Sequence, residues 1–99
     1  MRLRWTTPAA NDLYNIVRHI QEDNPTAAAE VAKVLYDGCG SLRDFPRRGR
    51  KGRIEGTREL VLPGLPFIVV YRIQDEIVEV MRIYHGAQNW PRNPTEVIS

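Results

Sequence analysis

Arg82, Tyr84 and His85 stand close together at the end of an apolar run, and Gln88, Asn89 and Trp90 follow directly. A guanidinium grips anions with a planar fork of N–H donors and stacks on flat rings. An imidazole takes or gives a proton near neutral pH. An indole offers a face on which a nucleobase can stack. A second group, Arg47-Arg48-Gly49-Arg50-Lys51-Gly52-Arg53, is five parts cation and two parts glycine. Such a loop suits phosphate contacts that carry no sequence information. The chemistry on offer is therefore proton transfer, anion contact and stacking. Metal chemistry is not indicated, because Cys39 is the only cysteine and His19 and His85 are distant from each other. No cofactor motif is present.

Each of these groups also has a plainer reading. Arg82 can close a salt bridge to Glu59 or Glu79, since a buried unpaired charge is costly. His85 can be a hydrogen-bonded structural histidine. Trp90 and Pro91 can pack back over the sheet as a cover for the core, and Trp5 can be a core residue. The basic loop can be a solvated loop, a nucleic-acid contact or a landing site for an acidic partner. Cys39, at helical spacing, reads as a small core side chain.

The elements that must position these groups follow from periodicity. Met1 to Thr6 alternates as a short strand. Thr7-Pro8 predicts a helix start, with threonine as the cap and proline in the first turn. Leu13, Ile16, Val17 and Ile20 then recur at i, i+3, i+4 and i+7 as one buried stripe. Asn24-Pro25 opens a second helix whose apolar face is Ala28, Val31, Ala32, Leu35, Cys39 and Leu42. Gly38 and Gly40 weaken that helix or permit close packing, and Asp44-Phe45-Pro46 ends it. The basic loop is expected to be exposed and mobile. Three strands follow: Thr57 to Leu62, Phe67 to Ile73, and Ile77 to Tyr84. Pro63-Gly64 and Gln74-Asp75-Glu76 turn between them. Strict alternation puts Val78, Val80, Arg82 and Tyr84 on one face of the last strand, and Ile77, Glu79, Met81 and Ile83 on the other. The order β-α-α-β-β-β predicts an α+β fold, an antiparallel helix hairpin packed on a small antiparallel sheet.

Ninety-nine residues make one domain, spanning 1–99, with one thin core. So small a domain favours a function on a surface or in a shallow groove. Net charge is +2, but all 14 basic residues except Lys33 and Lys51 are arginine, a bias that suits anionic partners. No secretory signal and no membrane-length apolar run is apparent, so a cytoplasmic protein without membrane contact is expected.

The helix-hairpin ending Leu42-Arg43-Asp44-Phe45-Pro46 before a Gly/Arg loop resembles the RelE/ParE superfamily of bacterial toxins. So do Arg58-Glu59-Leu60-Val61, Ile68-Val69-Val70-Tyr71-Arg72-Ile73 and Val80-Met81-Arg82-Ile83-Tyr84-His85-Gly86. The resemblance covers nearly the whole chain. It implies the toxin of a type II toxin–antitoxin pair, bound by a cognate antitoxin in a hetero-oligomer. RelE-like members cleave mRNA on the ribosome without a metal; ParE-like members poison DNA gyrase. Metal-free cleavage needs an activated 2′-oxygen, a stabilised phosphorane and a protonated leaving group. RNA-cleaving relatives commonly place one arginine in the strand matching Phe67–Ile73 and another after the last strand. Their positions here are Ile68 and, nearly, Ala87. The apolar strand FIVVYRI looks ParE-like. DNA gyrase is thus the expected target, with the ribosome and mRNA as the alternative. If the chain is a nuclease, Arg82 and His85 are its catalytic candidates. Arg47, Arg48, Arg50, Lys51, Arg53, Arg82, Tyr84 and Trp90 are the candidates for target or nucleic-acid binding.

Overall fold

The computed structural model describes residues 1–86. The positions Ala87, Gln88, Asn89, Trp90 and Pro91 singled out above lie outside the described residues. In chain order the elements are β1 (Arg2–Trp5), α1 (Thr7–Asp23), α2 (Pro25–Gly40), a 3₁₀ turn (Ser41–Arg43), β2 (Arg50–Lys51), β3 (Arg58–Val61), β4 (Phe67–Gln74) and β5 (Ile77–His85). The five strands form one sheet in the order β1-β5-β4-β3-β2. The expected α+β fold, with its helix hairpin on a sheet, is present. The β3-β4-β5 meander and β2 are antiparallel, but β1 joins β5 in parallel, so the sheet is mixed. Parallel neighbours need a long connection, and the helix hairpin together with β2, β3 and β4 separates β1 from β5 in the chain.

Local chemistry explains the helix boundaries. Thr6, one residue before the position expected, caps α1: its hydroxyl accepts from Ala9 N–H at 3.2 Å. Asn24 caps α2 by accepting from Ala27 N–H at 3.1 Å, and prolines occupy the first turn of both helices. At Gly38 α2 closely approaches Leu62, the residue just after β3, since a Cβ there would stand 2.7 Å from Leu62 Cδ1. Leu62-Pro63-Gly64-Leu65 turns with Gly64 at φ +81°. The Asp75-Glu76 hairpin needs φ of +51° and +62°, the twist that suits a two-residue connection.

The core lies between the helices and one sheet face. Ala9, Leu35, Cys39 and Leu42 meet Leu60, Val69, Tyr71, Val78, Val80 and Ile83 there. Burial pushes the Cys39 thiol up to about 12, so it behaves as a small apolar group. A second, smaller cluster of Ile68, Val70, Met81 and Tyr84 occupies the opposite face, which carries no helix.

Strict alternation along β5 fails at one place. Tyr71 pairs with Val80 and Val70 with Arg82, so Met81 is an extra residue, a β-bulge. Val78 and Val80 share one face and it is the face toward the helices, but after the bulge the phase changes. Ile83 joins the helix-side core, while Arg82 and Tyr84 move to the helix-free side. The bulge is held by Thr6, whose hydroxyl donates to the Met81 carbonyl at 2.9 Å. No described helix is long and apolar enough to cross a membrane.

Candidate functional site

The end of β5 brings its three polar candidates close in sequence and separates them in space. β1 covers β5 only from Ile77 to Val80, so the strand edge beyond is open to α1. Asp12 of α1 fills that gap. Its Oδ2 accepts from the Ile83 backbone N–H at 2.9 Å and from Arg82 Nε at 2.8 Å, and its Oδ1 accepts from Arg82 Nη2 at 3.2 Å. Arg82 is therefore held by Asp12, not by Glu59 or Glu79. A forked guanidinium–carboxylate pair with side chains 30% and 16% exposed is a shielded, oriented contact. Asp12 carried a signal in the sequence: with Ala9, Leu13 and Ile16 it completes the i, i+3, i+4, i+7 stripe, a charge on an apolar face.

Tyr84 is 7% exposed. Burial, reinforced by the charge of Glu59 and opposed by Arg53 and Arg50, pushes its phenol up to about 12. It stays protonated at neutral pH and is a poor base. His85 points the other way. It pairs with Phe67 across the ladder and meets that helix-side ring edge-on, with centroids 5.7 Å apart.

The basic loop is exposed at its side chains, as expected, and its backbone is hydrogen-bonded to the strands beside it. The fully buried Tyr71 hydroxyl donates to the Pro46 carbonyl at 2.7 Å and accepts from Gly49 N–H at 2.9 Å. A Cβ at Gly49 would stand 2.7 Å from that hydroxyl, so glycine is required for the approach. Arg58 donates to the carbonyls of Gly49 at 3.1 Å and Arg47 at 3.4 Å. Arg50 and Lys51 add the short β2 to the sheet edge. Arg47, Arg48, Arg50, Lys51 and Arg53 are all exposed. Arg48 donates to Ser41 Oγ at 2.9 Å, and Arg50 pairs with Glu59 at 3.1 Å.

Two buried carboxylates govern the helix-free face, and sequence reasoning had treated them only as spare partners for Arg82. Glu79, 8% exposed, accepts from Arg4 on one oxygen and Arg72 on the other. Glu59, 2% exposed, accepts from Arg50 and from Arg53 N–H at 3.0 Å. Arginines that would otherwise offer the face to phosphate are thereby engaged. Among the described residues no group of three or more His, Cys, Asp or Glu could hold a metal.

Two apolar surfaces stand out among the described residues. A groove of about 510 Å³ runs along the helix hairpin between Leu13, Tyr14, Val17 and Ala32, with Tyr14 63% exposed. The other is a hollow of about 650 Å³ beside Phe45, Pro46, Arg47 and Arg48, in which Phe45 is 65% exposed. Beside it, β2 pairs only with Arg58 and Glu59, so at Leu60 and Val61 β3 is paired with β4 on one side and has no partner strand on its outer edge among the described residues.

A family model described as the ParE toxin of the type II toxin–antitoxin system parDE matches residues 3–90. The Y4kP protein of Sinorhizobium fredii is 42% identical over 91 residues, covering 92% of this chain and 94% of that protein. Toxin RelE2 of Caulobacter vibrioides is 33% identical over 84 residues, covering 85% and 93%. Among solved structures, a chain of the chromosomal ParDE system of P. aeruginosa superposes with a TM-score of 0.79 at 27% identity, covering 86% of this chain and 95% of that one. A chain of the toxin–antitoxin complex RelBE2 from Mycobacterium tuberculosis gives 0.56 at 29% identity, covering 85% and 95%.

Proposed function

The chain belongs to the ParE toxin family of type II toxin–antitoxin systems, and on that premise we propose that it acts by inhibiting DNA gyrase and is held in check by a cognate antitoxin. The observation that carries the choice of target is the failure of the nuclease candidates to converge. Arg82 is clamped by Asp12, Tyr84 is a buried and protonated phenol, and His85 lies on the other side of the sheet. A proton acceptor and an anion-stabilising cation must both reach one phosphodiester. Here they face opposite sides.

The antitoxin reading rests on the solved relatives, which are parts of toxin–antitoxin systems, and on the apolar surfaces. The helix-hairpin groove suits the apolar face of an amphipathic helix. The open stretch of β3 at Leu60 and Val61, beside the basic loop, suits an extended acidic segment.

The second reading, a ribosome-dependent mRNA endonuclease, is favoured by two observations: relatives named RelE, and five exposed cations on a tethered loop. One experiment separates the two. Expression of the toxin alone is expected to arrest DNA replication and induce the SOS response before translation falls. Early translation arrest with cut, ribosome-bound mRNA would overturn the gyrase reading. His85→Ala sharpens the result. On the gyrase reading it changes toxicity less than about twofold. On the nuclease reading it costs 10²-fold or more, the usual loss for an acid–base group.

A further inference from the structure

The helix-free face of the sheet has an apolar middle and an arginine rim, a composition that would suit single-stranded nucleic acid. Ile68, Val70, Met81 and Tyr84 form the middle, and Arg4, Arg50, Arg72 and Arg82 stand around it. Each of these arginines is paired inside the molecule. Arg4 and Arg72 hold the two oxygens of Glu79, Arg50 holds Glu59, and Arg82 holds Asp12. We propose that Asp12, Glu59 and Glu79 are specificity residues, internal anions that reserve these arginines and keep single-stranded nucleic acid off the face.

Geometry supports it first. Arg4 and Arg72 each turn Nε and Nη2 toward Glu79, at 2.7–2.9 Å. Arg82 turns the same two nitrogens toward Asp12, at 2.8 and 3.2 Å. That edge of a guanidinium is one that forks onto a phosphate. Burial supports it next, because it is unequal within the pairs. The side chains of Arg4, Arg50 and Arg72 are 58%, 58% and 41% exposed, whereas those of Glu59 and Glu79 are 2% and 11% exposed. An exposed arginine could turn to a phosphate, but the buried carboxylate left behind would stand without a cation, at high cost. One cation can replace another there; a phosphate brings none. Asp75 lines the same hollow as Arg4 and Arg72 and adds a negative charge against an incoming phosphate. The basic loop differs. Arg47 and Lys51 are exposed and make no ion pair among the described residues, so phosphate contact is left to the loop. The carboxylates have this role only if the toxin does not cut RNA on this face, as proposed above. Binding is measured apart from toxicity, so a failure here is distinct from a failure of the gyrase reading.

The test is binding of the full chain to fluorescein-labelled oligouridine, read by anisotropy across a range of salt concentrations. The wild-type protein is expected to bind weakly, with a shallow salt dependence that Arg72→Ala leaves unchanged. Glu79→Gln releases two arginines and Asp12→Asn releases one. Both should bind several-fold more tightly at low salt. The slope of log K against log salt should steepen by about 0.7 for each arginine released. Adding Arg72→Ala to Glu79→Gln should take back about half of that gain, one contact of two. Glu30→Gln makes the same change in net charge at an exposed position of α2 and should bind as the wild type does. Far-UV circular dichroism checks the fold of each variant. If the carboxylate variants fail to fold, the wild-type response to Arg72→Ala decides. A wild-type slope that falls on Arg72→Ala overturns the proposal, because the face would already serve phosphate. So do folded carboxylate variants that bind no better than wild type. So does an equal gain from Glu30→Gln, which reduces the effect to net charge.

Discussion

The two faces of this one sheet are held by different forces. Toward the helices, Leu35, Cys39, Leu42, Val69, Val78 and Val80 are sealed in hydrocarbon, each fully or almost fully buried. On the other side a small apolar cluster is flanked by two glutamates, each closed over by arginines that remain largely exposed. Hydrophobic burial stabilises in proportion to area. An ion pair with one exposed partner contributes little, although the buried carboxylate would be costly alone. Fold stability should therefore reside on the helix side, and the opposite face can exchange its charged partners at small cost.

The largest effect should come from the helix side. Leu35→Ala is expected to remove about 3 kcal/mol of unfolding free energy in urea, within the range for a fully buried leucine. Ile54→Ala, against the helix-free cluster, should remove less than about 1 kcal/mol because Ile54 is only partly buried. Equal losses would break the comparison. Next comes the seam where the faces meet. Asp12→Ala deletes the acceptor for both Arg82 and the Ile83 amide and should cost about 2 kcal/mol, as for hydrogen bonds to a charged group. Asp12→Asn keeps an acceptor for the amide and should recover part of that loss. Full recovery would mean that the ion pair contributes nothing.

Alkaline pH probes one buried acid on each face. Both are held neutral by the fold, so both resist ionisation that the unfolded chain permits. Stability is full below the ordinary values of 9.0 for Cys39 and 10.0 for Tyr84, and is lost as pH rises from there toward about 12. At pH 10 the thiol should account for roughly 1 kcal/mol of loss. Melting curves of Cys39→Ala should lack the decline that starts near 9, and those of Tyr84→Phe the part that starts near 10. The smallest change is expected from Arg72→Ala. Arg4 remains on Glu79 and the Arg72 side chain is 41% exposed, so urea titration should register under about 1 kcal/mol.

What could be read from the sequence was whatever depends on local periodicity. Both helices, their prolines, the Asn24 cap and the three-strand meander follow from spacing and turn residues. Thr6 displaced Thr7 as the first cap because Thr6 is also tied to the sheet, through Val80 and Met81. The site was less legible because its key contacts join residues far apart in sequence. Asp12 meets Arg82 seventy positions later. Tyr71 reads as one more apolar-strand residue, yet its hydroxyl fixes the basic loop between Pro46 and Gly49. β2 escaped notice because two basic residues carry no pattern, and the bulge because alternation presumes an unbroken ladder.

Met81 also sets a condition on comparing this chain with its relatives. β5 keeps two reading frames, one before the extra residue and one after it. A relative whose last strand runs without a bulge must be aligned with a one-residue gap opposite Met81. Counted straight through, every later side chain is assigned to the wrong side of the sheet. An arginine transferred that way from a nuclease would be credited to a surface it never faces. The hairpin register, not the sequence column, is the coordinate in which functional residues of such toxins can be matched.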